Sequence, residues 1–199
     1  MCLAEYGKVF LYSEETEMLR QKAIVLDGDK LSRTTVRISH EIAERNVDLK
    51  NLVLVGIKTR GVPFAKRIAA NVEKFYGVKL PVGELDITLY RDDLSELSEF
   101  PKVKEGNLGA DVVGKDVVLC DDVIFTGRTA RAAIDALLSH GRPKTVQLAV
   151  VADRGHREFP IKPDFVGKNV PTSLSEVVSV KFNETDGEDG VTISEKILG

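Results

Sequence analysis

Short uninterrupted apolar runs alternate along this chain with longer stretches in which apolar residues return every three or four positions. The first run, KAIVLD (22–27), predicts a strand. Asp27 or Asp29 can cap the next segment, KLSRTTVRISHEIAERN, whose helical spacing sets Leu31, Thr35, Ile38 and Ile42 on one face. Arg33, Arg37 and His40 share a second face, within roughly 60° of one another at about 100° per residue. NLVLVGI (51–57) shows no polar alternation, the pattern of a strand covered on both sides. After KTRG comes a helix from about Pro63 to Tyr76, with proline near its start and Gly77 past its end. VGELDITLY (82–90) reads as a strand, and residues 91–114 as a polar, irregular excursion. A strand at 116–121, a helix at 128–140 capped by Gly141 with Pro143 beyond, and strands at 145–152 and 163–167 continue the alternation. EVVSVKF and GVTIS flank the turn DGEDG as a terminal hairpin. Strands alternating with helices predict an α/β domain with a mostly parallel sheet, and ligands of such sheets lie outside the carboxyl ends of the strands. Residues 1–20 lack a long period and read as an N-terminal extension before a single domain, 21–199.

Composition sharpens this picture in a few places. The chain has 199 residues, 43% apolar and 30% charged, enough for one domain with a sizeable core. A net charge of −3 excludes a global basic field for nucleic acid, though not a local basic patch. The two cysteines, Cys2 and Cys120, cannot make a disulfide framework, and Cys120 sits in an apolar run as a reduced, buried, inert thiol. No apolar stretch approaches the ~18 residues needed to span a membrane. Glu5, Glu14, Glu15 and Glu17 rule out a secretory signal, so the cytoplasm is the default location.

The chemistry concentrates in VVLCDDVIFTGRT, residues 117–129, where an apolar strand ends in two adjacent acids and runs into a small, hydroxyl-rich turn at a helix start. A helix start offers backbone N–H groups and about half a positive charge. Gly127 allows close backbone approach, and Thr126 and Thr129 add hydroxyls, which together make a phosphate cradle. The lysine spacing of a nucleoside-triphosphate loop is missing. The plainer alternative is a βα turn capped by a threonine. Asp121 and Asp122 would repel a phosphate unless they bind something else; vicinal hydroxyls suit them, since carboxylate oxygens accept hydroxyl protons. A 5-phosphorylated ribose satisfies both halves, while a capping pair or a metal site is the alternative for the acids alone. KTRG places Lys58 and Arg60 at another strand end, with Thr59 between them and Gly61 giving backbone access; two solvated charges at a turn are the bland equivalent. ADRGHREFPIK gathers Arg154, His156, Arg157 and Lys162, and with no cysteine or second histidine nearby it is not a metal site.

VVLCDDVIFTGRT resembles the phosphoribosyl-pyrophosphate motif of type I phosphoribosyltransferases, and DDVIFTGRTARAA most resembles the PyrR family, pyrimidine-operon attenuation regulators that are also uracil phosphoribosyltransferases. GIKTRGVPFAKRIA (56–69), LDITLYRDDL (85–94) and VADRGHREFPIKPDFVGKNVPTS (151–173) agree in the same order, so the resemblance covers the chain from about Lys22 onward. It implies a type I phosphoribosyltransferase fold, a mostly parallel sheet flanked by helices with a small hood. It implies that uracil and 5-phosphoribosyl 1-pyrophosphate give UMP and pyrophosphate, with Mg²⁺ carried mainly by the substrate. Asp121, Asp122, Arg60 and Arg91 become the catalytic group, Thr126, Gly127, Arg128 and Thr129 the 5-phosphate loop, and Lys58, Thr59, Arg60 and Gly61 the pyrophosphate loop. Tyr90 and Arg91 open a loop that folds over the substrate and excludes water. Asp153, Arg154, Val177 and Val178 are candidates for the base pocket.

The same resemblance implies RNA contacts at Arg37, His40, Arg45, His156, Arg157, Lys162 and Lys168, a UMP- or UTP-responsive mRNA leader as partner, and a homo-oligomer. Val36 and Lys162 depart from the family pattern, which puts one contact each in doubt. Two other readings stand beside this one: an RNA-binding regulator with little catalysis, and a purine phosphoribosyltransferase, which DRGHRE and GKNVPTS disfavour.

Overall fold

The computed structural model describes residues 18–88 and 108–197. Its larger sheet has five parallel strands in the order β3-β2-β4-β5-β6, where β2 is Leu52–Ile57, β3 Val82–Leu85, β4 Asp116–Ile124, β5 Thr145–Asp153 and β6 Phe165–Asn169. Helices α1 (Gly28–Arg45), α2 (Gly61–Tyr76) and α3 (Arg128–Ser139) flank it. Strand β1 (Met18–Asp27) pairs antiparallel with β8 (Gly190–Ile197), and β8 with β7 (Glu176–Lys181), making a separate three-stranded sheet. A single helical turn, α4 (Asn183–Asp186), interrupts the β7–β8 connection.

The unbroken apolar runs follow from this arrangement. Successive side chains of a strand point to opposite faces. Leu52, Leu54, Val118, Cys120, Ala149 and Val151 face one core, filled by Leu31, Ile38 and Ile42 of α1 and Phe64, Ile68 and Val72 of α2. Val53, Val55, Val117, Leu119, Leu148 and Val150 face the other, filled by Ala133, Ala136 and Leu137 of α3. Each fully buried Leu, Ile or Phe contributes about 1.5–3 kcal/mol relative to exposure. The small sheet joins the first core through Val178, Val180, Phe182 and Val191.

Local signals read from the sequence hold at most ends. Asp27 caps α1, accepting from the Lys30 amide at 2.9 Å, and Gly77 closes α2 in the left-handed region at φ 69°. Several boundaries differ from expectation, among them β6, which runs over 165–169 instead of 163–167, and β8, which continues past GVTIS to Ile197. β1 starts at Met18, so residues 18–20 are strand, paired with Ile197, Lys196 and Glu195, instead of extension. β3 stops at Leu85, opposite the last residue of β2, because beyond Ile57 it has no partner strand; residues 89 and 90 of that expected strand, like 91–107, lie outside the described residues. β4 runs on to Ile124, carrying both acids inside the strand. α3 ends at Ser139 with His140 as its cap, and Gly141, expected as that cap, follows at φ 146°.

Strand order places the site. From β2 the chain winds outward to β3, and from β4 in the other direction to β5 and β6. The order reverses between β2 and β4, and the crevice at such a switch point is where open α/β sheets bind ligands. The segments leaving these two strands are KTRG after β2 and FTGRT after β4, which leads into α3.

Candidate active site

Three segments converge on one cleft of about 500 Å³, lined by Lys58–Arg60 after β2, Asp86–Thr88 after β3, and Asp121, Asp122 and Thr129 from β4 and the α3 start. A second cavity of about 250 Å³ is formed by Phe125–Ala130 and shares Asp121, Val123 and Thr129 with the first. Among the described residues, the expected phosphate loop, ribose acids and pyrophosphate loop therefore border two neighbouring cavities with three lining residues in common.

The 250 Å³ cavity has the features of an anion cradle. Gly127 is the residue before α3, at φ 93°, a conformation glycine adopts at no steric cost. No side chain caps α3 there. The Thr126 hydroxyl accepts from the Arg128 amide at 3.3 Å, while its carbonyl accepts from the amides of Glu158 and Phe159 at 2.9 and 3.0 Å. Arg128 is exposed and ion-paired with Glu158 at 2.8 Å.

Asp121 and Asp122 sit side by side in the mouth of the cleft. Each carboxylate accepts from the amide that follows it, Asp121 from Asp122 at 2.9 Å and Asp122 from Val123 at 2.8 Å. Burial pushes the Asp121 carboxyl well above the usual carboxylate range, and the neighbouring Asp122 charge adds to it. Burial also raises Asp122, against the pull of its hydrogen bonds and of the Arg60 charge. Two buried acids of this kind are poised for hydroxyl or cationic partners. Behind them, burial raises the Cys120 thiol far above its ordinary value, consistent with an inert core cysteine.

The pyrophosphate loop is held from both sides. The Lys58 amide donates to the Leu85 carbonyl at 2.9 Å, and its ammonium lies 4.0 Å from Asp86. Thr59 is exposed at the cleft, joined to Lys58 by a cis peptide. A Cβ on Gly61 would sit 2.1 Å from the Cys120 carbonyl oxygen, so only glycine lets α2 start against β4. Arg60 lines the cleft and donates from Nε and Nη2 to Asp186 of α4, at 3.1 and 2.7 Å. Two further acids, Asp86 and Asp186, thus hold the cations of this loop. Asp86 lies inside the quoted motif LDITLYRDDL, whereas no local signal ties Asp186 to residue 60. Tyr90 and Arg91 lie outside the described residues.

The base-pocket candidates divide. Asp153 is half-buried and accepts from the Gly155 amide and from Arg157 Nη2. Arg154 is buried; its guanidinium lies 3.8 Å from the Phe125 ring centre and donates to the Thr172 hydroxyl and the Ser173 and Leu174 carbonyls, bracing that loop. Val177 is half-buried, but Val178 packs into the core with Val180 and Val191. Strand alternation sends the two valines to opposite sides, so they do not line one pocket together.

The basic candidates also separate. Helix α1 packs along β6, and Arg37 donates from Nη2 to the Val166 and Gly167 carbonyls at 3.0 and 2.7 Å. Arg45 pairs with Asp164 at 2.9 Å and lies over the Phe165 ring. Lys168 is exposed on β6, and Lys162 is exposed in the loop before it. His40 turns toward α2 instead, with Nδ1 2.8 Å from the Tyr76 hydroxyl. His156 and Arg157 make their contacts at the end of β5: His156 Nε2 is 2.6 Å from the Thr172 carbonyl. Arg157 donates to the Ile161, Phe125 and Gly155 carbonyls and to Asp153. Four of its five N–H donors are thus engaged in bracing the loop, which leaves it a poorer candidate for RNA contact than Lys162 or Lys168.

A parallel sheet with an uncapped, glycine-led helix start and paired acids at its switch point suits a phosphoribosyl transferase, and the model of that family, the Phosphoribosyl transferase domain, matches residues 23–185. Several relatives carry the name Bifunctional protein PyrR. That of Chloroflexus aurantiacus is 60% identical over 85% of this chain and 93% of its own length. That of Thermus thermophilus is 56% identical over 89% and 98%. The chain belongs to the PyrR family of phosphoribosyl transferases. Solved structures of hypoxanthine phosphoribosyltransferases share the fold: the Trypanosoma cruzi protein has a TM-score of 0.67 at 15% identity, covering 89% of this chain and 98% of its own. The Staphylococcus aureus protein has a TM-score of 0.66 at 18%, covering 89% and 93%.

Proposed function

We propose that this pentosyltransferase joins uracil to 5-phosphoribosyl 1-pyrophosphate, releasing UMP and pyrophosphate, and that it also binds an mRNA leader in a UMP- or UTP-dependent way to regulate pyrimidine genes. The observation that carries the catalytic half is the placement of Asp121–Asp122, Thr126–Thr129 and Lys58–Arg60 around two neighbouring cavities at the switch point. The 5-phosphate rests on the α3 start, and the 2- and 3-hydroxyls donate to the two acids. The C1–O bond breaks with its electron pair leaving on pyrophosphate, uracil N1 bonds to C1, and the N1 proton is lost. Asp121 and Asp122 lie where they offset positive charge developing on the sugar, and Lys58 and Arg60 where they offset negative charge on the leaving group. Tyr90 and Arg91 are assigned to the loop that closes over the site.

Among the described residues no three His, Cys, Asp or Glu side chains form a metal-binding group. Mg²⁺ prefers one or two carboxylates with substrate oxygens completing its shell, and the buried pair Asp121 and Asp122 fits that demand. When bound, it would neutralise charge on the pyrophosphate.

The regulatory half rests on the exposed cations of α1 and β6, with Arg37, Arg45, Lys162 and Lys168 as its residues. A homo-oligomer, the assembly inferred here, is checked by light scattering. Assaying the purified protein with uracil, hypoxanthine and guanine, then titrating leader RNA with and without UMP, tests both halves. Turnover of a purine in place of uracil overturns the base assignment, and RNA binding indifferent to UMP overturns the regulatory one.

A further inference from the structure

The turn between β7 and β8 carries the sequence NETDGED, residues 183–189, read from the sequence only as part of a hairpin. In the structure its acids grip two arginines of the α2 segment. Asp186 takes Arg60 bidentately, as described above, and its Oδ2 also accepts from the Phe182 amide at 2.9 Å. Arg67, two turns further along α2, pairs with both Glu184 and Asp189 and lies 5.0 Å over the Phe182 ring. Asp189 in turn accepts from the Asn183 amide at 2.8 Å, so the turn is braced internally. The Asp186 carboxylate is largely buried, with 13% of its side chain exposed against 42% for Arg60.

Two consequences follow for Arg60. A bidentate fork fixes the plane of a guanidinium as well as its distance. It uses Nε and one N–H of Nη2, and Nη1 makes no hydrogen bond to any described residue, so that edge keeps its donors for a ligand. Arg60 lines the cleft whereas Asp186 does not, so the carboxylate grips the arginine from behind.

We infer that Asp186 is a positioning residue for the reaction: from the hood turn, it holds the Arg60 guanidinium with its free edge toward the leaving pyrophosphate. This rests on the reading of Arg60 as a pyrophosphate ligand. The hood and the pyrophosphate loop are then mechanically one unit, with Arg67 securing the turn that carries Asp186.

The test compares steady-state kinetics and pyrophosphate product inhibition in four variants. Asp186→Asn keeps an acceptor for the Phe182 amide and loses the charge and one arm of the fork. It should raise the KM for phosphoribosyl pyrophosphate and the pyrophosphate inhibition constant together, each by about tenfold, with the uracil KM within about twofold of wild type. Asp186→Glu, which restores the charge, should recover part of that loss. Glu184→Gln removes one of the two acids on Arg67 but leaves Asp189 paired with it, so the turn stays anchored and both pyrophosphate constants should remain near wild type. An Asp186→Asn protein that is folded by circular dichroism yet binds pyrophosphate unchanged or more tightly overturns the inference, as does an equal effect from Glu184→Gln. Arg60→Ala separates the two readings: if it leaves both constants unchanged, the assignment of Arg60 itself falls, whereas a large effect there with none from Asp186→Asn removes only the role of Asp186.

Discussion

At the scale of single residues, the role proposed for Asp121 is set against stability. It is 8% exposed, and burial followed by the Asp122 charge raises its carboxyl above the usual range. Between the ordinary carboxylate value, near 4, and the raised one, the folded protein holds more protons than the unfolded chain. Stability therefore falls as pH climbs through that window and stays flat above it. Asp121→Asn keeps the shape and the acceptor for the Asp122 amide but carries no charge to desolvate. It should lower uracil turnover on the order of 10²-fold at saturating substrate. It should also stabilise the protein at pH 7 by about 1 kcal/mol, or ~3 °C in Tm, and this gain should vanish as pH falls toward 4. Thermal melts at both pH values check the second half. Near wild-type turnover in the Asp121→Asn, Asp122→Asn double variant would remove the ribose-binding role.

At the scale of elements, two joints set the site. The first is α2 against β4, where Gly61 meets the Cys120 carbonyl. Gly61→Ala cannot be absorbed by a rotamer change, since the obstructing atom is backbone. The helix start must shift, at a cost of about 1–3 kcal/mol, and KTRG shifts with it. Urea unfolding should show the lowered midpoint, and the KM for phosphoribosyl pyrophosphate should rise; a variant unchanged in both would mean that α2 and β4 are not in close contact. The second joint is β1 against β8. Residues 18–20 add three pairs to that ladder, and Arg20 bonds Glu195 at 3.0 Å. A chain beginning at Gln21 should be less stable than one beginning at Met18 by about 1–2 kcal/mol. Equal melting temperatures for the two would show that the hood does not depend on the start of β1.

At the scale of the whole molecule, the question is how two activities share one chain. The residues proposed for catalysis lie at the carboxyl ends of β2 and β4, whereas those proposed for RNA, Arg37, Arg45, Lys162 and Lys168, lie on α1, on β6 and just before it. Lys162 and Lys168 are exposed, and neither forms an ion pair with another described residue. Replacing both with alanine should leave uracil phosphoribosyltransferase activity unchanged. It should weaken UMP-dependent RNA binding and flatten its salt dependence by roughly one unit of log–log slope per lost duplex phosphate contact. RNA affinity and slope that survive the double change would move the RNA surface elsewhere.

Much of this architecture is written locally. Unbroken apolar runs such as NLVLVGI announce strands covered on both faces, because only a sheet between two helical layers hides both sides of a strand. Asp27 and Gly77 mark helix ends through interactions with their own neighbours, and VVLCDDVIFTGRT encodes a strand, its acids and a glycine turn at a helix start within thirteen contiguous residues. What remained for the tertiary structure depends on distant partners. β3 ends at Leu85 although LDITLY continues in an extended pattern, since a strand lasts only as long as its neighbour and β2 stops at Ile57. Arg157 reads as a solvated cation until the folded loop supplies the Ile161, Phe125 and Gly155 carbonyls and the Asp153 carboxylate around it. Asp186 reads as a turn residue until the fold brings it to Arg60, 126 positions away in the chain. Propensity and periodicity report what a residue does to its near neighbours; the chemical role of a charged side chain is decided by the charge it meets, and only the closed fold chooses that partner.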